Sequence, residues 1–316
     1  MADGRFHSGE ALGRALGVTR AAVWKALKGL DAYQLRVDAV PGRGYRLAEP
    51  VELLDSDAVR QRLDAVSAAQ LGGLELHLEL DSTNAALRRR IHDLPCGHAC
   101  FAERQVNGRG RRGRPWVSPF ARNLYLSLTW HFDGGAAELS GLSLAVAVAV
   151  LQALQRSGVP DVGLKWPNDV VVQGRKLAGI LLEVSGEENG RWRVVTGVGV
   201  NVRMPSQEAA AIDQPWTDVE SLRPGVRRND LAGDLLHELL LAHAQYAQAG
   251  FAPFRERWQA ADAVAGRPVV LSTPREAFAG RAQGVDDDGA LLLDGAAGLQ
   301  RFTTGEVSLR LDGPDV

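Results

Sequence analysis

A nearly continuous apolar run over residues 139–155 places the tightest constraint on how this chain can fold. A helix that is apolar around most of its surface has to be covered on most sides, so we expect it at the centre of the core. Its most apolar part, Leu142 to Leu151, is far shorter than the roughly 20 residues that span a membrane. The N-terminus shows no basic-then-apolar signal. We therefore expect a cytoplasmic protein without a membrane segment.

The composition is that of a folded protein with room for two or three domains, since 45% of the 316 residues are hydrophobic and 23% are charged. The net charge of −2 argues against a protein that coats nucleic acid, so any DNA binding has to come from a local patch. Cys96 and Cys100 are too few for a disulfide framework and indicate a reducing compartment. A metal site formed with His92 and His98 stays open as an alternative, although the spacing differs from the usual zinc patterns.

The first fifty residues contain such a basic patch, with eight Lys/Arg against five Asp/Glu. Ser8 and Thr19 are typical N-caps of two short helices joined by a turn that contains glycine. The following residues alternate as two strands around Pro41-Gly42-Arg43-Gly44, which predicts a wing. We expect a winged helix-turn-helix, with its second helix in the DNA major groove. A helical hairpin without DNA contacts is the alternative. The residues expected to face DNA are Thr19, Arg20, Lys25, Lys28 and Arg43.

The segment Gly108-Arg109-Gly110-Arg111-Arg112-Gly113-Arg114-Pro115-Trp116 alternates three glycines with four arginines. Glycine leaves the backbone free to turn its N–H groups toward one point, and arginine adds a charged fork that grips a phosphate or carboxylate. The segment therefore predicts an anion-binding loop. A solvated basic turn, or a nucleic-acid contact rich in Arg and Gly, is the alternative.

The rest of the chain predicts an α+β protein with a mixed or antiparallel central sheet and helices stacked on it. No Gly-rich dinucleotide fingerprint and no Walker sequence is present. Beyond residue 266 the pattern changes to short strands with glycine turns, which predicts a small β-barrel. The expected divisions are a winged helix-turn-helix at 1–50, a connecting helix at 51–70, the large domain at 71–266 and the small β domain at 267–316.

Four motifs resemble those of the biotin–protein ligases, and the resemblance covers most of the chain. They are Ser82-Thr83-Asn84, Lys165-Trp166-Pro167-Asn168-Asp169, the stretch Lys176 to Glu183, and Gly197-Val198-Gly199-Val200-Asn201. Together with the helix-turn-helix, they indicate the bacterial form that combines a biotin ligase with a repressor of the biotin operon. This resemblance implies a class II synthetase-like central domain and an SH3-like C-terminal barrel.

The resemblance implies that the chain joins biotin to ATP as biotinyl-5′-AMP, and then transfers biotin to a lysine of the biotin carboxyl carrier protein of acetyl-CoA carboxylase. Because the first step brings two anions together, the site has to neutralise their repulsion. Lys165 is the expected bridge between the biotin carboxylate and the α-phosphate, assisted by Arg109 and Arg111. No protein base is needed, since the carboxylate is already ionised near neutral pH. Mg²⁺ would accompany the phosphates, but no carboxylate cluster indicates its ligands.

The resemblance also assigns individual contacts. The biotin-binding residues that it implies are Ser82, Thr83, Gln105, Gly108, Arg109, Arg111, Lys165, Gly197 and Gly199. The residues that it implies for ATP and the adenylate are Arg109, Arg111, Arg112, Arg114, Lys165, Asn168, Asn201, Trp216 and Arg310. From the residues alone, Gly197 and Gly199 indicate either a flat backbone path beneath a thin ligand or two β-bulges.

Two further partners are implied by resemblance, operator DNA and a second copy of the chain in a ligand-promoted homodimer. A lipoate or octanoate ligase is the alternative enzyme, because that class shares the sheet and the lysine but lacks the Gly/Arg loop. A ligand-sensing DNA-binding regulator without ligase activity is the alternative from another class.

Overall fold

The computed structural model describes residues 1, 3–133, 139–188, 190–273 and 276–303, together with the backbone of 308–311; the side chains of 186–188 are not described. The helices are α1 (Gly9–Leu16), α2 (Arg20–Gly29), α3 (Ser56–Arg60), α4 (Ala65–Gln70), α5 (Thr83–Arg88), α6 (Leu142–Arg156), α7 (Ser206–Ala209), α8 (Val219–Leu222), α9 (Arg228–Ala249) and α10 (Ala252–Ala260). The strands are β1 (Val37–Val40), β2 (Gly44–Leu47), β3 (Gly73–His77), β4 (His98–Ala102), β5 (Leu124–Asp133), β6 (Val162–Lys165), β7 (Asp169–Val172), β8 (Arg175–Glu188), β9 (Arg191–Val200), β10 (Pro268–Ser272), β11 (Ala277–Val285), β12 (Leu291–Gly295), β13 (Gly298–Phe302) and β14 (Ser308–Leu311).

The N-terminal unit is the expected winged helix-turn-helix. The Ser8 side chain accepts a hydrogen bond from the backbone of Ala11, and Thr19 does the same for Ala22, so both predicted caps are confirmed. Helix α1 ends at Gly17, whose φ of 66° is the left-handed conformation that glycine favours. Strands β1 and β2 pair antiparallel and form the wing.

The single connecting helix expected over residues 51–70 is wrong, because two short helices, α3 and α4, occupy this stretch. The carboxylates of Asp55 and Asp64 each accept backbone N–H groups at the start of one of them, so each helix begins at its own cap. Residues before Asp55 run without regular structure and are bonded to the start of α9, where the Asn229 amide donates to Leu53 at 2.9 Å.

The central sheet has seven strands in the order β3-β4-β5-β9-β8-β7-β6. Strands β3 and β4 are parallel and every other neighbouring pair is antiparallel, so the predicted mixed sheet is confirmed. Helix α6 is buried along most of its length, as its apolar sequence requires, and packs against α9 and against β6, β7 and β8. None of the described helices is long and apolar enough to cross a lipid bilayer.

The C-terminal unit is a five-stranded antiparallel sheet in the order β13-β12-β11-β10-β14. In the part of the chain that the structure describes, β13 and β14 are the two outermost strands. The small antiparallel sheet is therefore as expected, and its closure into an SH3-like barrel stays a prediction. The turn between β11 and β12 contacts the central domain through Trp166, whose indole N–H donates to the Gly289 carbonyl at 3.1 Å.

Candidate active site

Five residues on five neighbouring strands form one cross-strand row. Lys165 pairs with Asp169, Asp169 with Gly179, Gly179 with Gly199, and Gly199 with Tyr125. Directly paired residues point to the same face of a sheet, so an amine and a carboxylate lie beside two positions without side chains. The row therefore forms a flat floor with charged groups at one end.

A cleft of about 460 Å³ lies between this row and the segment Gly108–Trp116. Residues from separate parts of the chain meet there, and the arginines and lysines among them make the lining strongly cationic. The sequence-predicted site residues that line the cleft are Ser82, Thr83, Gln105, Arg109, Arg111, Arg112, Arg114, Lys165, Asn168, Gly197 and Gly199.

The Gly/Arg segment is folded back on itself over the cleft. The Gly110 N–H donates to the Arg114 carbonyl at 2.7 Å, and the Trp116 N–H donates to the Gly108 carbonyl at 2.9 Å. Arg112 at the tip has a φ of 57°, which is uncommon for a residue with a side chain. The segment thus brings its arginines to one side of the site, as an anion-binding loop requires.

Arg111 is the arginine of this segment that is tied to the floor of the cleft. Its guanidinium donates to Asn168 Oδ1 at 3.3 Å, and the amide of Asn168 donates to the Ile180 carbonyl at 2.8 Å. Burial lowers the pKa of Arg111, while the charge of Asp169 opposes that shift. A partly desolvated cation at this position attracts an anion more strongly than an exposed one.

Trp116 occupies the space above the two bare positions of the row. A Cβ at Gly199 would lie 2.5 Å from the indole, and one at Gly179 would lie 3.0 Å from it. Glycine is therefore required at 199 so that the tryptophan can lie against the sheet. The indole N–H is buried and has no hydrogen-bond partner among the described residues, so it is a donor that a bound ligand could use.

Gly197 has a different reason to be glycine. A Cβ there would lie 2.3 Å from Oδ1 of Asn84, whose amide nitrogen donates to Glu183 at 2.9 Å. Of the two alternatives raised for Gly197 and Gly199, the two bulges are wrong, whereas the ligand path stays a prediction, since both glycines line the cleft. The glycines make room for the side chains of Asn84 and Trp116, and β5 and β9 pair in continuous register through both positions.

The Ser82-Thr83 pair lies at the start of α5 and is hydrogen-bonded to Gln105 in the lining of the cleft. Ser82 caps the helix, as expected. The amide oxygen of Gln105 accepts from the Thr83 N–H at 2.9 Å and from its hydroxyl at 3.1 Å, and Ser127 donates to the same hydroxyl at 2.7 Å. This arrangement orients Gln105 so that its NH₂ group remains available as a donor for a polar ligand group.

The site residues expected from the sequence did not include Lys176 and Asp169, which are two further functional candidates. The Lys176 ammonium lies 2.7 Å from the Asp169 carboxylate and 5.6 Å from the centre of the Trp116 ring, and both charged residues line the cleft. The signal was the tight Gln173-Gly174 turn, which places β8, and with it Lys176, beside the strand that carries Asp169. Lys165 is half-buried and lines the same cleft.

Three predicted site residues have other surroundings. Among the described residues that line the cleft, Gly108, Asn201 and Trp216 do not appear. The Asn201 amide instead donates to the backbone carbonyls of Lys176, at 3.4 Å, and Thr217, at 3.2 Å. The backbone on either side of Trp216 bonds to Lys176 as well. The side chain of Arg310 lies outside the described residues.

The predicted DNA-facing residues of the N-terminal unit are all exposed. Trp24 is 51% exposed, and the Lys28 ammonium lies 3.8 Å from the centre of its ring. The guanidinium of the wing residue Arg43 lies 4.5 Å from the centre of the Phe6 ring. The exposed residues of the predicted set are Thr19, Arg20, Lys25, Lys28 and Arg43.

The alternative metal site is not assembled in the described part of the chain. His92, Cys96, His98 and Cys100 do not group their ligand atoms; the group of three that approach one another is Glu75, His77 and Cys100. The Glu75 carboxylate is already bonded to both arms of the Arg90 guanidinium, at 3.0 and 2.8 Å. Burial raises the pKa of the Cys100 thiol to about 12, so the thiolate that a metal requires is disfavoured.

Three family models match the chain. Residues 78–201 match the Biotin/lipoate A/B protein ligase family, residues 264–310 match the Biotin protein ligase C terminal domain, and residues 1–46 match an HTH domain. These ranges correspond to the central sheet, the C-terminal sheet and the winged helix-turn-helix.

Relatives and solved structures agree with these matches. The chain is 41% identical over 310 residues to the bifunctional ligase/repressor BirA of Escherichia coli (strain K12), covering 98% of this chain and 95% of that protein. It is 30% identical over 318 residues to BirA of Bacillus subtilis (strain 168), with 98% and 95% covered. A biotin protein ligase from Aquifex aeolicus in complex with biotin and ATP has a TM-score of 0.65 and 27% identity, covering 76% of this chain and 99% of that one. The chain therefore belongs to the biotin–protein ligase family, among the bifunctional ligase/repressors.

Proposed function

We propose that this chain is an ATP-dependent biotin–protein ligase that also acts as a biotin-responsive transcriptional repressor. The observation that supports the ligase most directly is the cationic cleft, in which the arginines of residues 108–116 face Lys165 and Lys176 across a flat floor. Two anionic substrates can be brought together there because positive charge surrounds the place where they meet.

In the first step a carboxylate oxygen of biotin attacks the α-phosphorus of ATP. The bond from that phosphorus to the oxygen that bridges it to the β-phosphate breaks, and pyrophosphate leaves. We assign Lys165 to the carboxylate and α-phosphate, with Arg109 and Arg111 stabilising the charge that develops, and Arg112 and Arg114 contacting the departing phosphates. These cations act through position and charge, and the protein supplies no nucleophile.

We propose that Lys176 also belongs to this set. Its ammonium is held at the Asp169 carboxylate and lies near the Trp116 ring, on the same floor as Lys165. When the substrates bind, their negatively charged oxygens can replace the Asp169 carboxylate as the partner of the Lys176 ammonium. We therefore propose that the two lysines share the bridging task.

The biotin end of the cleft is assigned to the polar groups around α5. The Gln105 NH₂ group, the Ser82 and Thr83 hydroxyls and the Trp116 indole N–H provide donors and acceptors for a cyclic urea, and Gly197 and Gly199 line the same cleft. Gly108 supports this end through the backbone, since a Cβ there would lie 3.0 Å from Gln105.

ATP is proposed to enter as its Mg²⁺ complex. Among the described residues of the cleft, the carboxylates are Asp169, which is paired with Lys176, and Asp213. The described lining of the cleft therefore offers no closed carboxylate cage, and the phosphates would supply most of the Mg²⁺ ligands. Asn168, Asn201, Trp216 and Arg310 remain proposed adenylate contacts, with Asn201 acting through the backbone of Lys176.

In the second step the amine of an acceptor lysine attacks the acyl carbon of the mixed anhydride. The bond to the phosphate oxygen breaks, AMP leaves, and the amine gives up a proton. We propose the biotin carboxyl carrier protein of acetyl-CoA carboxylase as the acceptor. Closure of residues 108–116 over the adenylate would exclude the water that competes with the lysine.

For the repressor function we propose that helix α2 reads operator DNA while Arg43 of the wing contacts phosphates. A ligand-promoted homodimer follows from the two half-sites that helix-turn-helix proteins occupy. The division of the chain at residues 50, 70 and 266 belongs to the same proposal. Replacing Arg20, Lys25 and Lys28 together by alanine should abolish salt-sensitive binding to duplex DNA and leave adenylate formation unchanged.

The ligase is tested by incubating the chain with labelled biotin, ATP, Mg²⁺ and a carrier domain. Label on the acceptor lysine that depends on ATP supports the proposal. Transfer of lipoate or octanoate in preference to biotin would instead indicate the alternative enzyme. Ligand-dependent DNA binding without any transfer would indicate the sensor.

A further inference from the structure

Trp166 connects the charged end of the cleft to the C-terminal sheet. Its side chain is 1% exposed and follows Lys165 directly, and its indole N–H donates to the Gly289 carbonyl at 3.1 Å. The next residue, Pro167, accepts a hydrogen bond from the hydroxyl of Ser143 on α6 at 3.0 Å. The backbone that carries Lys165 is thus held from two sides, once by the central domain and once by the C-terminal sheet.

The turn that contains Gly289 is held by several hydrogen bonds. Residues 286–290 connect β11 to β12, and the Asp286 carboxylate accepts the backbone N–H groups of Asp288, at 3.0 Å, and Ala290, at 2.8 Å. Arg301 on β13 bonds to the carboxylates of both Asp286 and Asp288. The carbonyl that receives the indole is therefore fixed by groups that lie outside the cleft.

The turn also fits closely against the start of α6. Gly289 has a φ of 77°, and a Cβ there would lie 2.8 Å from the Cα of Gly141, which precedes that helix. A turn with a side chain at this position would have to move away from the central domain. The fit leaves the carbonyl little freedom to drift from the indole.

We infer that the turn at residues 286–290 positions the segment 165–169 for adenylate formation, through the hydrogen bond from the Trp166 indole to the Gly289 carbonyl. The inference rests on the proposed ligase function. Trp166 is a positioning residue, since it acts through its neighbours. Lys165 precedes it, Asn168 bonds Arg111, and Asp169 holds Lys176, so a shift of this one segment would displace three cations of the cleft together.

Such a shift should slow the chemical step. A misplacement of about 1 Å can cost on the order of 100-fold in rate. Gln105 and the Ser82 and Thr83 hydroxyls, which are assigned to the biotin ring, lie outside this segment and bond to one another and to Ser127 rather than to it. Loosening the turn should therefore lower kcat and leave the KM for biotin nearly unchanged.

The test compares Trp166→Phe with Trp130→Phe in the full-length chain. Both changes remove an indole from a buried position, but Trp130 lies on β5 next to His243, away from segment 165–169. With biotin, ATP and Mg²⁺ as substrates, we expect Trp166→Phe to lower the kcat of adenylate formation by about 10-fold or more, with the KM for biotin within about twofold. Trp130→Phe should keep the kcat of the folded protein.

Arg301→Gln provides a second variant if Trp166→Phe does not fold. It loosens the turn from the exposed side and should lower kcat several-fold without changing biotin affinity. If the folded variants at 166 and 301 keep the wild-type kcat while Lys165→Ala loses activity, the positioning role is wrong and the ligase function stands. If the wild type forms no adenylate, the proposed function itself has failed.

Discussion

The Arg228 guanidinium lies 2.7 Å from the Glu103 carboxylate, and 6% and 5% of these side chains are exposed. Arg228 begins α9 and Glu103 follows β4. The same guanidinium bonds to the carbonyls of Glu52 and Asn123, while Glu103 accepts the Leu54 N–H at 2.5 Å. One buried ion pair thus joins the segment after the DNA-binding unit to both strands that flank the Gly/Arg loop.

Breaking this pair should destabilise the protein strongly. Glu103→Ala leaves the Arg228 charge buried without its partner, for which about 3–5 kcal/mol is expected. The free energy of unfolding in urea measures the loss. The exposed Glu10 provides a matched control, since Glu10→Ala removes a surface pair of less than about 1 kcal/mol. A loss at Glu103 as small as that of the control would contradict the structural role.

His243 should make the core sensitive to acid. Complete burial lowers the pKa of His243 to about 4, against which the Leu239 carbonyl has a smaller opposing effect. In the unfolded chain the His243 imidazole takes up a proton near pH 6.5. The contribution of the neutral imidazole to the free energy of unfolding is therefore fully present above that pH and is lost as the pH falls toward 4. The difference is about 3 kcal/mol. Unfolding measured between pH 7 and pH 4 should show this loss in the wild type and a smaller one in His243→Gln; equal slopes would contradict the assignment.

Asp262 should have the opposite pH dependence. Burial raises the pKa of its carboxyl to about 6, and the N–H of Val264 reduces that shift only in part. The folded state favours the protonated Asp262 carboxyl. Its contribution to the free energy of unfolding is therefore present below about pH 4 and is lost as the pH rises through 6. Asp262→Asn should therefore raise stability at pH 8 by up to about 3 kcal/mol and have little effect at pH 4. A destabilised variant at pH 8 would show that the charged form is the one accommodated.

Gly199 is expected to tolerate no side chain. In Gly199→Ala the new methyl group would lie 2.5 Å from the Trp116 ring, so the loop has to lift from the sheet. Adenylate formation should fall by about 10-fold or more, since the arginines would lose their positions. Gly29→Ala is the control, because nothing lies within 4 Å of a Cβ there and that residue is helical. Activity retained in Gly199→Ala would mean that Trp116 need not lie on the floor.

The fold and the location of the site could be predicted where they depend on residues that are close together in the sequence. The caps Ser8 and Thr19 and the apolar run of α6 depend on neighbours in the chain, and each is found as expected. The prediction of a single connecting helix was wrong because an aspartate at position 64 is compatible with either one helix or two.

Other features depend on partners far apart in the chain. The space that Gly197 and Gly199 leave is filled by Asn84 and Trp116, which no spacing within β9 reveals. The bond between Trp166 and Gly289 joins residues 123 positions apart. Asp169 and Lys176 could have been found, since Gln173-Gly174 between two strand-like stretches is typical of a tight turn, which brings these charges onto adjacent strands.

The most direct test of the account is the rate of adenylate formation from biotin and ATP in Lys165→Ala and Lys176→Ala, with Lys25→Ala of the DNA-binding unit as the control. Losing one preorganised cation should lower kcat by about 100-fold or more in each of the first two variants, while the control keeps the wild-type rate. Full-rate adenylate formation by Lys165→Ala would contradict the claim that this amine bridges the two anionic substrates.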